Sequence, residues 1–332
     1  CSGGYNVAFG KEAMCGNSTS SNNTAFSNVA IGCEAGKFLS TGTTNVAIGK
    51  YAGGNLTSGS HTVYIGCGAG MNNPTASFGV VIGFNAHDSG TGASHVFLGA
   101  CAGRCMKGTT NIALGHGALL GSTTVGNNSG GYNISIGCLS GCKVSSGTYN
   151  VFAGQYAGRN TTTGANNIAI GCAALCSGGA LTGVNNIALG RQAGYNMQSG
   201  NNNILIGCHA GENLTFGSDN VIIGRDVSAP AANTDKYFAI GCGSSRWIYG
   251  DSNFDIFDKD GNQLNGGGGG GGSGDFNVGL TSSLVANPVG VGTTVLTLPS
   301  TSGKSYTIES IHVSNVAAGN TEVNIIGAFE MN

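Results

Sequence analysis

The chain has 332 residues, of which 62 are Gly, 4 are Pro and 8% are charged, and its formal net charge is −2. Globular domains average roughly 7% Gly and 25% charged residues, so this composition does not indicate an ordinary enzyme domain. Residues 1–250 carry 11 Lys and Arg against 7 Asp and Glu, and residues 251–332 carry 2 against 8, without a charge run in either part. Without a basic stripe or a long apolar segment, neither nucleic-acid binding nor a membrane span is predicted.

A short repeat dominates residues 1–241. The block Asn45-Val46-Ala47-Ile48-Gly49 recurs in 14 close or looser copies, at steps of 16, 17, 19 or 22 residues, and 17 is the commonest step. Each copy ends on a closing glycine; these are Gly10, Gly32, Gly49, Gly66, Gly83, Gly99, Gly115, Gly137, Gly154, Gly171, Gly190, Gly207, Gly224 and Gly241. Fixed self-similarity of this kind is the signature of a repeat architecture.

Each position of the repeat has its own physical interpretation, counted from the closing glycine as position 0. Positions −3 and −1 are almost always Val, Ile, Leu or Phe, and they alternate with small residues. This period of two predicts a strand whose buried face carries positions −3 and −1. The invariant glycine predicts a turn or a close backbone approach, and Asn at position −4 in 10 copies predicts a ladder of side-chain amides.

A 17-residue unit cannot bury its own strand, but stacked neighbours can, which is the logic of a solenoid. We therefore expect an all-β fold, a β-solenoid or β-roll of about 14 repeats with a spacing of about 4.8 Å. Two large apolar side chains per repeat make a thin core. The small residues at positions −2, 0, +3 and +4 would let another backbone pack closely, which favours an oligomer, most simply a homotrimer.

Cysteines follow a second period, of 34 residues. They stand at or next to position +1 of every second repeat; these are Cys33, Cys67, Cys101, Cys138, Cys172, Cys208 and Cys242. If one coil contained two repeats, successive cysteines would lie at the strand spacing, inside the 4.4–6.8 Å Cα window of a disulfide. If each coil were one repeat, they would be about two strand spacings apart, too far for a direct bond.

Three further cysteines lie four residues beyond members of this series, in the pairs Cys101/Cys105, Cys138/Cys142 and Cys172/Cys176. Such pairs could close local disulfides across a tight turn, which is the favoured interpretation, with free thiols as the alternative. Zinc sites use different spacings, so no metal site is predicted. Oxidised cysteines would indicate an extracellular or virion-surface location.

No catalytic, cofactor-binding or metal-binding residues emerge from the remaining sequence. The six His are scattered and are interpreted as solvent-facing or loop residues. Residues 89–211 contain no Asp or Glu, so the paired carboxylates of a glycoside hydrolase are missing there. Because loops tolerate variation, any binding site is expected in the insertions at residues 14–25 and 119–130 or on exposed loop edges.

The chain changes character after the last repeat. Residues 242–258 contain the only Trp and predict a cap over the last strand, within a cap and turn region at residues 242–265. Residues 266–274 are Gly-rich and predict a flexible linker. Alternating segments in residues 275–332 predict a small β-domain or part of one. The sequence begins at Cys1 without an initiator Met, which we interpret as a piece of a longer protein.

The repeated N-V-A-I-G-x-x-A-G pattern with T-T-G turns resembles two groups. One is the β-roll head of trimeric autotransporter adhesins, whose coils carry a similar S-V-A-I-G strand. The other is the repeat region of phage tail fibres, where N-T-A-I-G-x-x-A-G copies are common. The resemblance covers residues 1–241, and residues 238–254 and 293–313 look like structural proteins of marine tailed phages.

This resemblance implies a homotrimeric fibre that displays receptor contacts. We therefore expect a virion fibre or spike that binds itself, other virion or surface proteins at its ends, and a host receptor or glycan. The alternative is a cellular surface adhesin or extracellular filament subunit. The cysteine series is unusual for both groups, and the stalk and anchor of an autotransporter are absent from these residues.

Overall fold

The computed structural model describes residues 3–16, 23–122, 128–253 and 255–264. These residues belong to one compact unit, Cys1–Asn277, while a second unit, Val278–Asn332, lies outside the described residues. The predicted linker at residues 266–274 and the predicted small β-domain at residues 275–332 also lie outside them. Within the described part the protein is all-β, without a helix.

The described residues form one sheet of 16 strands in sequence order. The first 14 strands are parallel and each belongs to one repeat. Their bounds are β1 Val7–Phe9, β2 Val29–Ile31, β3 Val46–Ile48, β4 Val63–Ile65, β5 Val80–Ile82, β6 Val96–Leu98, β7 Ile112–Leu114, β8 Ile134–Ile136, β9 Val151–Ala153, β10 Ile168–Ile170, β11 Ile187–Leu189, β12 Ile204–Ile206, β13 Val221–Ile223 and β14 Phe238–Cys242. The predicted β-solenoid is therefore confirmed.

The register settles how much chain one coil contains. Val46 of β3 lies opposite Val63 of β4, and Ile48 opposite Ile65, so equivalent residues of consecutive repeats are direct neighbours. Each coil is thus one repeat, and the alternative of two repeats per coil is wrong. Hydrogen bonds between coils also form away from the strands, for example from the Gly36 N–H to the Ala52 carbonyl at 2.9 Å.

The end of the roll is covered by an antiparallel turn-back. Strand β15, Ser245–Gly250, pairs antiparallel with β14, and β16, Ile256–Asp258, pairs antiparallel with β15. An edge strand with unpaired N–H and carbonyl groups would invite association with other chains. The predicted cap region therefore holds two strands: β15 occupies the free edge of β14, and β16 extends the sheet beyond β15.

The inward face of the strands is the opposite of the one expected from the sequence. The middle residue of each strand, at position −2, points into the coil, and from β2 to β14 it is at most 4% exposed. Positions −3 and −1 are half-buried or exposed in the strands. The expectation that they form the core was wrong, and so was the expectation that the small residues form an outer face for association. The residue at position −2 is inside whether it is small, as at Ala47 and Ala169, or large, as at Tyr64 and Phe152.

Three columns of side chains fill the interior. Position −2 provides the first and Ala at position +3 the second; the third is position +7, which is Leu, Met or Val in six coils. Large and small residues compensate within a coil: the buried Phe152 packs where Gly158 leaves room, whereas the small Ala113 and Ala169 are accompanied by buried Leu119 and Leu175. Interiors are packed at nearly constant density, which requires this exchange of volume.

The predicted ladder of asparagines is confirmed. In a typical step, the Oδ1 atom of Asn167 accepts the backbone N–H of Asn186 at 3.0 Å and its Nδ2 group at 3.1 Å. The Nδ2 group of Asn167 donates to the carbonyl of Gly183 at 2.9 Å. The ladder runs in this form from Asn111 to Asn220, with all members nearly inaccessible to solvent. Buried polar groups need hydrogen-bond partners. The Asn side chains provide them for the backbone groups just before each strand.

The closing glycines combine both roles predicted for them. The first 13 have φ values of 127–141°, a region open essentially to glycine alone. At Gly171 a Cβ would lie 2.5 Å from the carbonyl oxygen of Gly190 in the next coil. Gly241 differs because it lies within β14. The repeat therefore needs glycine both for its backbone angle and for the close approach of the next coil.

Candidate functional site: an outward apolar face and its borders

The candidate site is the row of outward side chains at positions −3 and −1 of β1 to β14, which we call the apolar face. Val, Ile, Leu and Phe make up all but one of these residues. Many remain accessible in the single chain: Ile136 is 44% exposed, Ile170 is 45% exposed and Leu98 is 38% exposed. Strand register places equivalent residues side by side from coil to coil, so the face is continuous.

The extent of the apolar face exceeds what a monomer usually shows. At roughly 40–50 Å² of exposed surface for each of about 28 side chains, it presents on the order of 10³ Å². Stable protein interfaces bury about 800 Å² on each partner, and contiguous exposed patches above a few hundred Å² mark interaction sites. The apolar face is therefore large enough to carry a stable association.

The cysteine series borders the apolar face on the side where the strands end. Its members are half-buried or exposed, and Cys67 and Cys172 are the exposed ones. Intervening coils carry several basic residues at position +1. Arg225 donates from Nη2 to the sulfur of Cys242 at 3.6 Å, and the pKa of Arg225 is raised mainly by that bond. The border thus alternates thiols with basic or polar side chains, except in the coil that carries Phe84.

The one-repeat coil places successive members of this series about two strand spacings apart, roughly 9–10 Å. That distance exceeds the Cα separation of a disulfide, so this series cannot form direct bonds along one chain without backbone movement. All 11 described cysteines are unpaired. The predicted disulfides, including those of the C-x-x-x-C pairs, have no support in the structure.

The second cysteines of the C-x-x-x-C pairs lie in a different environment from the first. Cys142 and Cys176 are buried, whereas Cys138 is half-buried and Cys172 is exposed. Burial raises the pKa of Cys142 and of Cys176, and it also raises the pKa of Cys105. Since the thiolate is the reactive form, these three thiols are expected to be less reactive than the border cysteines.

The other border of the apolar face is formed by position −5, which has a positive φ near 60° in almost every coil. Exposed side chains stack there: the rings of Tyr132 and Tyr149 are 5.0 Å apart and nearly parallel, at 8°. Further along, Asn185 donates to Asn202 at 3.1 Å and Asn202 donates to Asp219 at 3.0 Å. This column is a second ladder, outside the roll, that sequence reasoning did not single out.

Two histidines were placed wrongly by the sequence interpretation. His87 is 1% exposed and His95 is 2% exposed, so they are core residues rather than loop or surface residues. A signal was available, because His95 occupies position −4, where the Asn ladder was predicted. His61 and His116 are exposed, as expected.

The predicted binding loops are described only in part. Residues 17–22 and 123–127, which lie inside the two insertions, are outside the described residues. The ends that are described are held to the roll: the backbone N–H of Gly16 donates to the carbonyl of Lys37 at 2.8 Å, and Asn128 donates to the carbonyl of Cys105 at 3.0 Å. Receptor contacts in these insertions stay a prediction.

In the described residues, no group of three or more His, Cys, Asp and Glu side chains is arranged to hold a metal ion. The described part also contains no helix long and apolar enough to cross a membrane. No protein-family model matches this sequence, and no curated protein or solved structure is significantly similar to it. The fold assignment consequently depends on the strand register and the hydrogen-bond ladders themselves.

Proposed function

We propose that this chain is a structural, non-catalytic fibre or spike protein on a virion surface or outside a cell, and that it works as a homotrimer. The observation that carries the proposal is the apolar face, which runs along all 14 repeats and is half-exposed in the single chain. A long apolar surface in a chain with only 8% charged residues is costly in water unless another surface covers it.

A second copy is the best-matched occupant of the apolar face. A partner must present apolar side chains at the same spacing over the same length, and another copy does so coil by coil. Three copies around an axis parallel to the rolls would bring three such faces together and form a shaft. The resemblance of the repeat to trimeric adhesin heads and phage tail fibres supports three copies rather than two.

A trimer assembled in this way would leave the outer turns of each coil free. The insertions at residues 14–25 and 119–130 would be displayed there, which suits contacts to a host receptor or glycan. The ends of the shaft would join other virion or surface proteins.

The solution mass of the full chain tests the assembly. Light scattering with and without reductant should give close to three times 32.9 kDa in both conditions. Placing charges on the apolar face by Ile136→Lys with Ile170→Lys should dissociate the assembly, because each buried, unpaired ammonium group costs several kcal/mol (about 3–5). The matched control, Asn196→Lys with Ser199→Lys, adds the same charge at exposed positions away from the strands and should leave the mass unchanged.

A monomeric wild-type chain would refute the proposed assembly, as would a face variant that stays assembled. A mass that falls only on reduction would show that interchain disulfides, rather than the apolar face, hold the copies together. The biological setting needs separate evidence. A coding sequence among capsid and tail genes would support the virion fibre, and a secretory leader upstream of residue 1 would favour the cellular adhesin.

A further inference from the structure

Two buried imidazoles interrupt the otherwise apolar and amide-lined interior of the roll. His87 follows β5 and His95 precedes β6, and their rings pack edge to face with centroids 4.8 Å apart. The ring of His95 also stacks on Phe97 at 4.5 Å. Both lie where the repeat shortens to steps of 16 residues, ending at Gly99 and Gly115.

His87 replaces two features of the repeat at once. It stands at position +4, where eight copies have Gly, and its ring occupies the place of the apolar residue at position +7. That position is Gly90 in this coil, and a Cβ on Gly90 would collide with the His87 ring. The shortened coil therefore substitutes an imidazole for the Leu or Met that fills the core elsewhere.

His95 replaces an asparagine in the buried ladder. The column is interrupted at Thr62 and Gly79 and resumes at His95. The Nδ1 atom of His95 accepts the backbone N–H of Asn111 at 3.2 Å, which is the bond that the Asn Oδ1 atom makes in other coils. From Asn111 onward the ladder continues with Asn133.

The hydrogen bonds determine the protonation state of both rings. A backbone N–H can only donate, so Nδ1 of His95 carries no proton. The Nε2 atom of His87 faces the carbonyl of Met106 at 3.2 Å and must donate, while its Nδ1 atom accepts from the Nδ2 group of Asn73 at 3.3 Å. Adding a proton to either Nδ1 would set two donors against each other inside the roll.

Burial reinforces this geometry. It lowers the pKa of His87 to about 4, and it lowers the pKa of His95 to about 3, with the neighbouring His87 as a second cause. No acid pairs with either ring among the described residues. The nearest charged groups along the chain are Asp88, Arg104 and Lys107, and Asp88 bonds to Asn72 and pairs with Arg104 instead. Nothing in the described surroundings would compensate an imidazolium charge.

We propose that the coils from Asn73 to Asn111 form an acid-labile joint, in which protonation of His87 and His95 opens the roll locally while the coils on either side remain closed. The direction of the pH dependence follows from the linkage between proton binding and opening of the roll. An open, hydrated imidazole has a pKa near 6.5, higher than in the closed roll, so the open state binds more protons. The stabilisation of the closed roll is present above about pH 6.5 and is lost progressively as the pH falls through the closed-state pKa values, to about 4 for His87 and about 3 for His95.

Hydrogen exchange followed by mass spectrometry on the full chain tests the joint. With an open-state pKa of about 6.5, each imidazole that protonates only in the open state raises the opening constant about eightfold between pH 6 and pH 5, so two raise it about sixtyfold. Peptides covering residues 87–112 should lose protection by this amount after correction for intrinsic exchange. Peptides covering residues 187–205, whose ladder contains only Asn, serve as the internal control and should stay protected.

The variant His95→Asn installs the residue that ten other copies have at position −4. It should reduce the increase in the opening constant between pH 6 and pH 5 to about eightfold, because only His87 remains to titrate. Equal loss of protection in both regions of the wild-type chain would overturn the proposal without reference to any variant. An unchanged pH dependence in His95→Asn would overturn it as well.

Discussion

Removing one rung of the buried Asn ladder should weaken the roll far more than removing an exposed amide. In Asn167→Ala, the backbone N–H of Asn186 loses its acceptor at 3.0 Å and the carbonyl of Gly183 loses its donor at 2.9 Å. The other two partners keep one bond each: Asn186 Nδ2 still donates to the Gly200 carbonyl, and Asn150 Oδ1 still accepts the residue 167 N–H. Each buried group left without a hydrogen-bond partner costs about 1–3 kcal/mol, so the two together should lower the free energy of unfolding by about 3–5 kcal/mol.

The assay is chemical denaturation of the purified chain, read as the shift in midpoint and as local hydrogen exchange, because repeat arrays do not always unfold in one step. The matched control is Asn196→Ala, which removes one exposed bond to the carbonyl of Glu212 at 2.8 Å. The control substitution should lower the free energy of unfolding by less than about 1 kcal/mol. If both variants lose the same stability, the buried ladder is not a principal support of the roll and the reasoning fails.

The closing glycines and the cysteines provide two further tests. Gly171→Ala places a Cβ at a φ of 132° and 2.5 Å from a backbone oxygen, so we expect the free energy of unfolding to fall by more than about 2 kcal/mol. The control Gly178→Ala, whose Cβ has no atom within 4 Å, should change the free energy of unfolding by less than about 0.5 kcal/mol. Similar denaturation midpoints for the two variants would contradict this interpretation of the glycine geometry. Brief alkylation of the native chain at neutral pH should modify the exposed Cys172 at least tenfold faster than the buried Cys176, and equal rates measured by peptide mapping would show that burial does not control these thiols.

Much of the roll follows from local chemistry and could be predicted. The closing glycine was interpretable because its backbone angle and its contact with the next coil both exclude a side chain, as Gly171 illustrates. The Asn ladder was interpretable because a buried backbone N–H at the same point of every coil needs the same acceptor. Both signals depend only on the contact between one coil and its neighbour.

The orientation of the strands could not be predicted in this way. Alternation of large and small residues shows that a strand has two faces, but it does not say which face meets the rest of its own coil. Position −2 lies inside together with Ala at position +3, and it does so whether it carries Ala or a large residue such as Phe97 or Phe152. The side chains at positions −3 and −1 are left outside, and they become the apolar face.

The amino-acid sequence by itself determined the repeat, the strand in each copy and the parallel β-solenoid, because a 17-residue unit with one strand can bury that strand only against its neighbours. Tertiary structure alone decided that one repeat makes one coil, which separates the border cysteines by two strand spacings. It also decided that position −2 faces inward and that His87 and His95 are enclosed. Those outcomes depend on the volume inside the closed coil, which no single repeat specifies on its own.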